Sequence, residues 1–253
     1  MTSQLVERGA AVRLATVSKA YGDLLALDKV SLSVGPGEFV CLLGASGCGK
    51  STLLSLVAGL DQPSGGQIST DGHGVAMMFQ DPALFPWLTV SANVEMAMRA
   101  LPRKERQDRA AGFLETVHLG GFGKRRPHEL SGGMRQRVAL ARSLAQCETQ
   151  GSEVLLMDEP FGALDAMTRD LLHDELERIW RERELSVLFV THNVREAVRL
   201  GDRVVLLSSR PGRVVAEFPV TLARPRRTDS AEVAGLAATI TDSLRAEVSR
   251  HGR

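Results

Sequence analysis

The sequence predicts an α/β fold with a phosphate-binding loop at one edge of its sheet, an antiparallel β start and a helical middle. Three observations predict it. The apolar run Phe39 to Leu43 stops at Gly44, crosses a loop carrying Gly44, Gly47 and Gly49, and restarts as an apolar-periodic helix after Lys50-Ser51-Thr52. Short apolar runs at Val154 to Met157 and Ser186 to Val190 read as further buried strands with polar residues at their carboxyl ends. Between the phosphate loop and those strands, Val90 to about His118 and Arg135 to Leu144 carry apolar residues at helical spacing.

The loop Gly44-Ala45-Ser46-Gly47-Cys48-Gly49-Lys50-Ser51-Thr52 carries the chemistry. Its glycines let backbone NH groups turn inward, and the free NH groups of the helix start add roughly half a unit of positive charge. At this spacing Lys50 reaches the outer phosphates of a nucleoside triphosphate and the Ser51 hydroxyl ligates Mg²⁺.

With 253 residues and 43% hydrophobic content, the chain has material for one large domain or a domain with a subdomain. Lys plus Arg number 31 against 30 for Asp plus Glu, and the net charge of +1 gives no electrostatic case for nucleic acid as a partner. Cys41, Cys48 and Cys147 are odd in number and in no metal spacing, which argues against a disulfide framework and suits a reducing compartment. The opening MTSQLVERGA lacks a basic start followed by an apolar core, and no apolar run approaches the roughly 20 residues that span a bilayer, so any membrane role is expected to be peripheral.

In chain order, Val12 to Val17, Ala26 to Val34 and Phe39 to Leu43 read as strands separated by turns, notably Gly35-Pro36-Gly37. Tyr21, the only tyrosine, is expected in the loop between the first two strands, where it either stacks on a nucleobase or covers an edge. Asp61 to Gly66 is a turn cluster, and Gly74 to Phe79 a strand that ends at Gln80. Gln80 sits at the sheet mouth, placed either to bond a metal-bound water or simply to serve as a loop residue. Leu84, Phe85, Trp87 and Leu88 lie among two prolines, a knob that suits docking to another protein or packing under its own subdomain.

The charged run Arg103 to Arg109 reads as a solvated helix face and loop. Ser131 is a helix N-cap, and Gly132 and Gly133 leave backbone NH groups uncovered, a second candidate anion site. Asp158 and Glu159 end the strand Val154 to Met157 at the edge where the phosphate loop emerges; one carboxylate there holds Mg²⁺ while its neighbour takes a proton from attacking water, unless both cap the next helix. Met167 to Arg183 is an amphipathic helix with Leu171, Leu172, Leu176, Ile179 and Trp180 inward. Thr191-His192 leave the next strand toward the same site, where an imidazole registers a terminal phosphate or is an ordinary loop residue. Asn193 to Leu200 is a helix, and Arg203 to Ser208 and Arg213 to Phe218 are strands around the turn Arg210-Pro211-Gly212. The basic linker Arg224-Pro225-Arg226-Arg227 is expected in solvent, and Asp229 or Ser230 caps a final amphipathic helix through Val233, Leu236, Ile240, Leu244 and Val248.

Gly44 to Thr52, Gln80, LSGGM (Leu130 to Met134), VLLMDEP (Val154 to Pro160), GALD (Gly162 to Asp165) and Thr191-His192 together resemble the ATP-binding subunit of ABC transporters, in order over nearly the whole chain. The resemblance implies a P-loop NTPase (RecA-like) core with an antiparallel β subdomain and an α-helical signature subdomain at about 81–145. It implies an ATPase domain over 1–218, with the linker and last helix at 219–253. It further implies that Tyr21 stacks on adenine, that Ser131, Gly132 and Gly133 bind the γ-phosphate of ATP on the opposite subunit of a head-to-tail homodimer, and that Asp165 belongs to the same nucleotide-binding set. In that reading Glu159 polarises water, Lys50 and Ser51 with Asp158 and Gln80 hold phosphate and Mg²⁺, and His192 senses the γ-phosphate. Two membrane permease subunits would dock near Leu84 to Leu88, with an extracytoplasmic substrate-binding protein completing the complex at the cytoplasmic face of the membrane.

FQDPALFPWLTV, LSGGMRQR, PFGALDAMTRD and ARPRR look like the importers of nitrate, taurine and aliphatic sulfonates, most of all the sulfonate type. Met134 stands where the family signature usually has glutamine, and Asn193 where aspartate is commoner; neither removes a group assigned to chemistry. The Gly66 to Gln80 segment is short for the branch and Ala145 to Ser152 slightly long. A non-transport ABC ATPase usually carries a coiled-coil insertion or tandem cassettes, neither of which is present, and a nucleotide-gated regulatory subunit would lack hydrolysis.

Overall fold

The structure, a computed structural model, describes residues 9–251. Residues 1–8, most of the stretch read above for a targeting signal, lie outside the described residues.

Two sheets organise the chain. β1 (Val12–Tyr21) and β2 (Leu24–Val34) form an antiparallel pair, and β4 (Gly65–Ser69) joins β1 on its other side. The second sheet contains β3 (Phe39–Leu43), β5 (Gly74–Met78), β6 (Ser152–Asp158), β7 (Ser186–Val190), β8 (Arg203–Leu207) and β9 (Val214–Pro219), in the order β5-β6-β7-β3-β8-β9. All neighbours in it are parallel except the hairpin of β8 and β9.

β3 is buried along its whole length because it has a layer on each face. Its alternate residues divide between two cores. Phe39, Cys41 and Leu43 face a helical layer, whereas Val40 and Leu42 face β1, β2 and α1 (Lys50–Val57). The helical layer holds α2 (Val90–Glu95), α3 (Arg103–Thr116), α4 (Gly132–Gln150), α5 (Ala166–Arg183), α6 (Val194–Leu200) and α7 (Ala231–His251). Phe39 meets Trp180 edge-on at 5.7 Å and Phe189 at 5.7 Å, anchoring β3 to α5 and β7. Each such side chain contributes about 1.5–3 kcal/mol by leaving water. Among the described residues, no helix is long and apolar enough to cross a membrane.

Several expectations change in detail. Tyr21 is the last residue of β1 rather than part of the following loop. β4 begins in the last two residues of the turn cluster and runs on to Ser69, a strand not expected from the sequence because its glycines and polar residues leave no apolar alternation. α4 runs on to Gln150, so most of the slightly long Ala145 to Ser152 segment is helix, closed by Gly151 in the left-handed region at φ 62°. Leu171 is 50% exposed, while Leu172, Leu176, Ile179 and Trp180 turn inward. Ser230, not Asp229, accepts the backbone N–H of Val233 at the start of α7. The basic linker is only partly in solvent: Arg227 is exposed, but Arg226 is 6% exposed, and the Arg224 guanidinium packs over Trp180 and pairs with Glu177 and Asp202.

Candidate functional site

Because β3, β6 and β7 are parallel, Gly44, Asp158 and Thr191 emerge at the same sheet edge. The loop after β3 wraps Lys50, whose ammonium donates to the carbonyls of Gly44 and Ala45, both at 2.9 Å, and approaches the Cys48 sulfur at 3.7 Å. Gly49 caps α1 at φ 101°, and a Cβ there would stand 2.6 Å from Leu27 and 3.0 Å from the Ala26 carbonyl. Only glycine fits that combination of backbone and space. Cys41, Cys48 and Cys147 are buried free thiols.

A cleft of about 300 Å³ lies over this loop, lined by Ser46, Gly47, Gly49, Lys50, Ser51 and Thr52 below and by Tyr21, Leu24 and Ala26 at one end. Gln80, Glu159 and Arg210 complete its rim. Tyr21 is 48% exposed, and its hydroxyl donates to Asp61 at 2.8 Å. Lys19 donates to the same carboxylate at 2.6 Å and lies 4.7 Å from the centre of the tyrosine ring. The Lys19 hydrogen bond, then those from Tyr21 and the Gln62 backbone, hold the Asp61 carboxyl down at about 2. The same carboxylate raises the phenol of Tyr21.

Asp158 and Glu159 are adjacent and differently placed. Asp158 is buried, and that burial raises its carboxyl; the Ser51 hydrogen bond pulls it down, Glu159 raises it further and Lys50 opposes. The Ser51 hydroxyl and the Asp158 carboxylate thus meet beside the loop as hard oxygen donors, a set suited to Mg²⁺, which takes one or two protein ligands and keeps waters and phosphate for the rest. Glu159 leaves the strand at φ 47°, a strained backbone for a non-glycine residue, and turns to the cleft. Its Oε2 stands 3.2 Å from His192 Nδ1 and 3.5 Å from Gln80 Nε2.

Other residues singled out in the sequence stand elsewhere. Ser131 caps α4 by accepting the Met134 N–H at 3.2 Å, and Asp165 caps α5 by accepting from Thr168 at 3.0 Å. That backbone bond holds the Asp165 carboxyl low. Gly133 lies against Ala163 and Leu164, so the start of α4 and the GALD loop form one surface, but neither Ser131, Gly132, Gly133 nor Asp165 lines the cleft over the phosphate loop. In the knob, Leu84 packs on the core while Trp87 is 66% exposed, its ring 5.4 Å from Phe85.

The structure adds residues the sequence reading did not single out. Gln136 is buried, and its amide donates to the carbonyls of Gln80 at 3.3 Å and Glu159 at 3.4 Å, tying α4 to both. The signal was present: Gln136 sits on the stripe with Ala139, Leu140 and Ser143, where a helix shows its buried face. Asp61 and Lys19 had no such signal, since their meeting depends on β1 passing the end of α1.

The ABC transporter family model matches residues 27–162. The nitrate import ATP-binding protein NrtD of Synechocystis is 49% identical over 210 residues, 79% of this chain and 77% of that one. The taurine import ATP-binding protein TauB of Burkholderia pseudomallei is 50% identical over 80% of each chain. An aliphatic sulfonates import ATP-binding protein, SsuB 1 of Mesorhizobium japonicum, is 45% identical over 90% of this chain and 86% of its own. Among solved structures, the ATP-binding cassette MJ0796, a dimer in a post-hydrolysis state bound to ADP and Pi, superposes with a TM-score of 0.77 at 32% identity, covering 84% of this chain and all of that one. The chain belongs to the ABC transporter family, as an ATP-binding ATPase subunit of the import branch that holds the nitrate, taurine and aliphatic sulfonate proteins.

Proposed function

We propose that this chain hydrolyses ATP to energise uptake of aliphatic sulfonates, with taurine and nitrate as the next substrates to test. The observation that carries the hydrolytic half is Glu159, held between His192 and Gln80 at the mouth of a cleft floored by the phosphate loop. Tyr21 stacks on adenine, Lys50 and the NH groups from Gly44 to Thr52 take the phosphates, and Glu159 accepts a proton from the attacking water. Ser51 and Asp158, with Gln80 through water, would hold Mg²⁺, which supplies charge neutralisation on the phosphates.

Two copies close head to tail, so that Ser131, Gly132, Gly133 and Asp165 of each complete the site of the other; that none of them lines the cleft of its own chain supports this arrangement. Trp87 and its neighbours on the Leu84 to Leu88 knob dock a pair of membrane permease subunits, which places the chain peripherally on the cytoplasmic face, and a substrate-binding protein delivers the anion from outside. The sulfonate assignment is supported by coverage and not by identity: the sulfonate import protein of Mesorhizobium japonicum aligns over 90% of this chain, the nitrate and taurine proteins over 79% and 80%.

Uptake of labelled alkanesulfonate, taurine and nitrate in cells lacking this gene, rescued with the native chain or with Glu159→Gln, tests both halves. Loss of sulfonate uptake alone, restored only by the native chain, is the expected result. Normal uptake of all three would remove the substrate assignment, and rescue by the variant would remove the role of Glu159.

A further inference from the structure

The turn between β8 and β9 enters the nucleotide cleft through one side chain that no motif assigned. Arg210 Nε and Nη2 both donate to the Gly47 carbonyl of the phosphate loop, at 3.1 and 3.0 Å, and the guanidinium forms part of the cleft rim. Arg213, across the same turn, is neutralised by Asp28, and Arg203, at the start of β8, by Glu38 and Glu217. Among the described residues, Arg210 pairs with no carboxylate, so its charge is turned toward the cleft uncompensated.

The turn that carries it is fixed. Ser208 Oγ donates to the Pro211 carbonyl at 2.7 Å and accepts the Arg213 N–H at 2.8 Å. Gly212 exchanges backbone bonds with β2, its N–H to Ala26 at 2.9 Å and its carbonyl from Asp28 at 3.0 Å. A Cβ at Gly212 would stand 2.2 Å from the Cys48 carbonyl, so the turn lies directly on the phosphate loop. Tyr21, the loop and Arg210 are thereby braced on one frame before any ligand arrives, and a preorganised cation loses little on binding an anion.

We propose that Arg210 is a nucleotide-binding residue, supplying the phosphate chain with a second cation in addition to Lys50. The proposal rests on the cleft being the nucleotide site. A guanidinium has five donors, and holding one carbonyl leaves others for phosphate oxygens.

The test uses the full chain and displacement of a fluorescent ADP derivative by ATP, ADP and adenosine. Arg210→Gln is expected to weaken ATP and ADP by about tenfold, the worth of one charge-assisted contact, while adenosine competes within about twofold of its native strength. Arg210→Lys should recover most of the loss, and the native chain should lose ATP affinity with added salt more steeply than the glutamine variant. Native-like ATP and ADP binding by Arg210→Gln overturns the proposal. So does an equal loss for adenosine and ATP, which would make Arg210 a brace for the loop and nothing more. Failure of the native chain to bind ATP would instead remove the nucleotide site itself, a result distinct from both.

Discussion

His192 Nδ1 and Glu159 Oε2 stand 3.2 Å apart although 33 residues separate them in sequence. The contact arises because β6 and β7 are adjacent and parallel, so the residues just past their ends meet at one edge. Glu159 is steered there by its backbone: its N–H bonds the Val190 carbonyl at 2.9 Å, which holds the chain in the left-handed turn. Glu159→Gln keeps the size and the contact to Gln80 but cannot take a proton. It should slow ATP turnover by about 10² to 10⁴ while leaving ATP binding within twofold, measured by single-turnover hydrolysis and equilibrium binding. Unchanged turnover would take Glu159 out of the reaction.

Asp158 carries a different cost. Burial raises its carboxyl above the ordinary value of 3.8, so between the unfolded and folded pKa the folded chain holds a proton the unfolded chain lacks. Stability therefore falls as pH rises through that window, and the penalty is full above the folded pKa. Asp158→Asn removes it. In chelator and without nucleotide, the variant should melt above the native chain at pH 7.5, with the advantage vanishing as pH falls below the ordinary carboxylate value of 3.8. Hydrolysis with Mg²⁺ should be lost in the same variant. A lower melting point at pH 7.5 would contradict the account of a charge buried for function.

Local chemistry made much of this site legible. The phosphate loop, the Ser131 cap and the strand ends at Asp158 and Thr191 are each written within about ten residues, where glycine conformation, capping and apolar runs decide structure. Gln136, Asp61 and Arg210 act on partners brought close only by the fold; Arg210 meets Gly47 across 163 residues. The basic linker misled for the same reason. Arg224 and Arg226 read as solvated because their carboxylate and carbonyl partners, from Glu177 to Val220, lie on other elements. Leu171 misled differently: one helical face carries Leu171 beside Leu172, and apolarity alone does not say which of two neighbours turns inward.

The tyrosine platform gives a graded series. Tyr21→Phe and Asp61→Ala each break the hydroxyl bond that fixes the ring but leave an aromatic or its site in place, and should weaken ATP about two- to threefold. On the proposed stacking, Tyr21→Ala removes a face worth about 1–3 kcal/mol and should weaken ATP by roughly 5- to 150-fold. The Asp61 carboxyl is held at about 2, below its ordinary 3.8, so what its ionised form contributes is present above pH 3.8 and lost as pH falls toward 2. Titration of the Tyr21 ring signals between pH 8 and pH 2 should show the environment changing only in that acid window. A change near pH 5 would mean that Asp61 is not what holds the ring.

Arg226 supplies the most demanding prediction about the C-terminal segment. Its guanidinium donates to the carbonyls of Val198 at 3.0 Å, Gly201 at 2.5 Å, Val220 at 3.0 Å and Leu222 at 3.0 Å. Val198 and Gly201 belong to the end of α6, where carbonyls lack helical partners and the helix dipole favours a cation. Burial, with Arg224 close by, depresses the Arg226 group to about 10, so it stays charged at neutral pH, and the carbonyls offset the cost of keeping it dry. Arg226→Met leaves those carbonyls buried without a donor and should destabilise the chain by about 2–4 kcal/mol, read from urea unfolding. Arg226→Lys, with the charge but fewer donors, should fall between. Because α7 packs on α6 and none of these groups lines the cleft over the phosphate loop, amide exchange should quicken in α7 and the last turn of α6 while ATP affinity holds within twofold. Uniformly faster exchange with weakened ATP binding would show instead that Arg226 supports the whole sheet, and that the last helix is no separable unit.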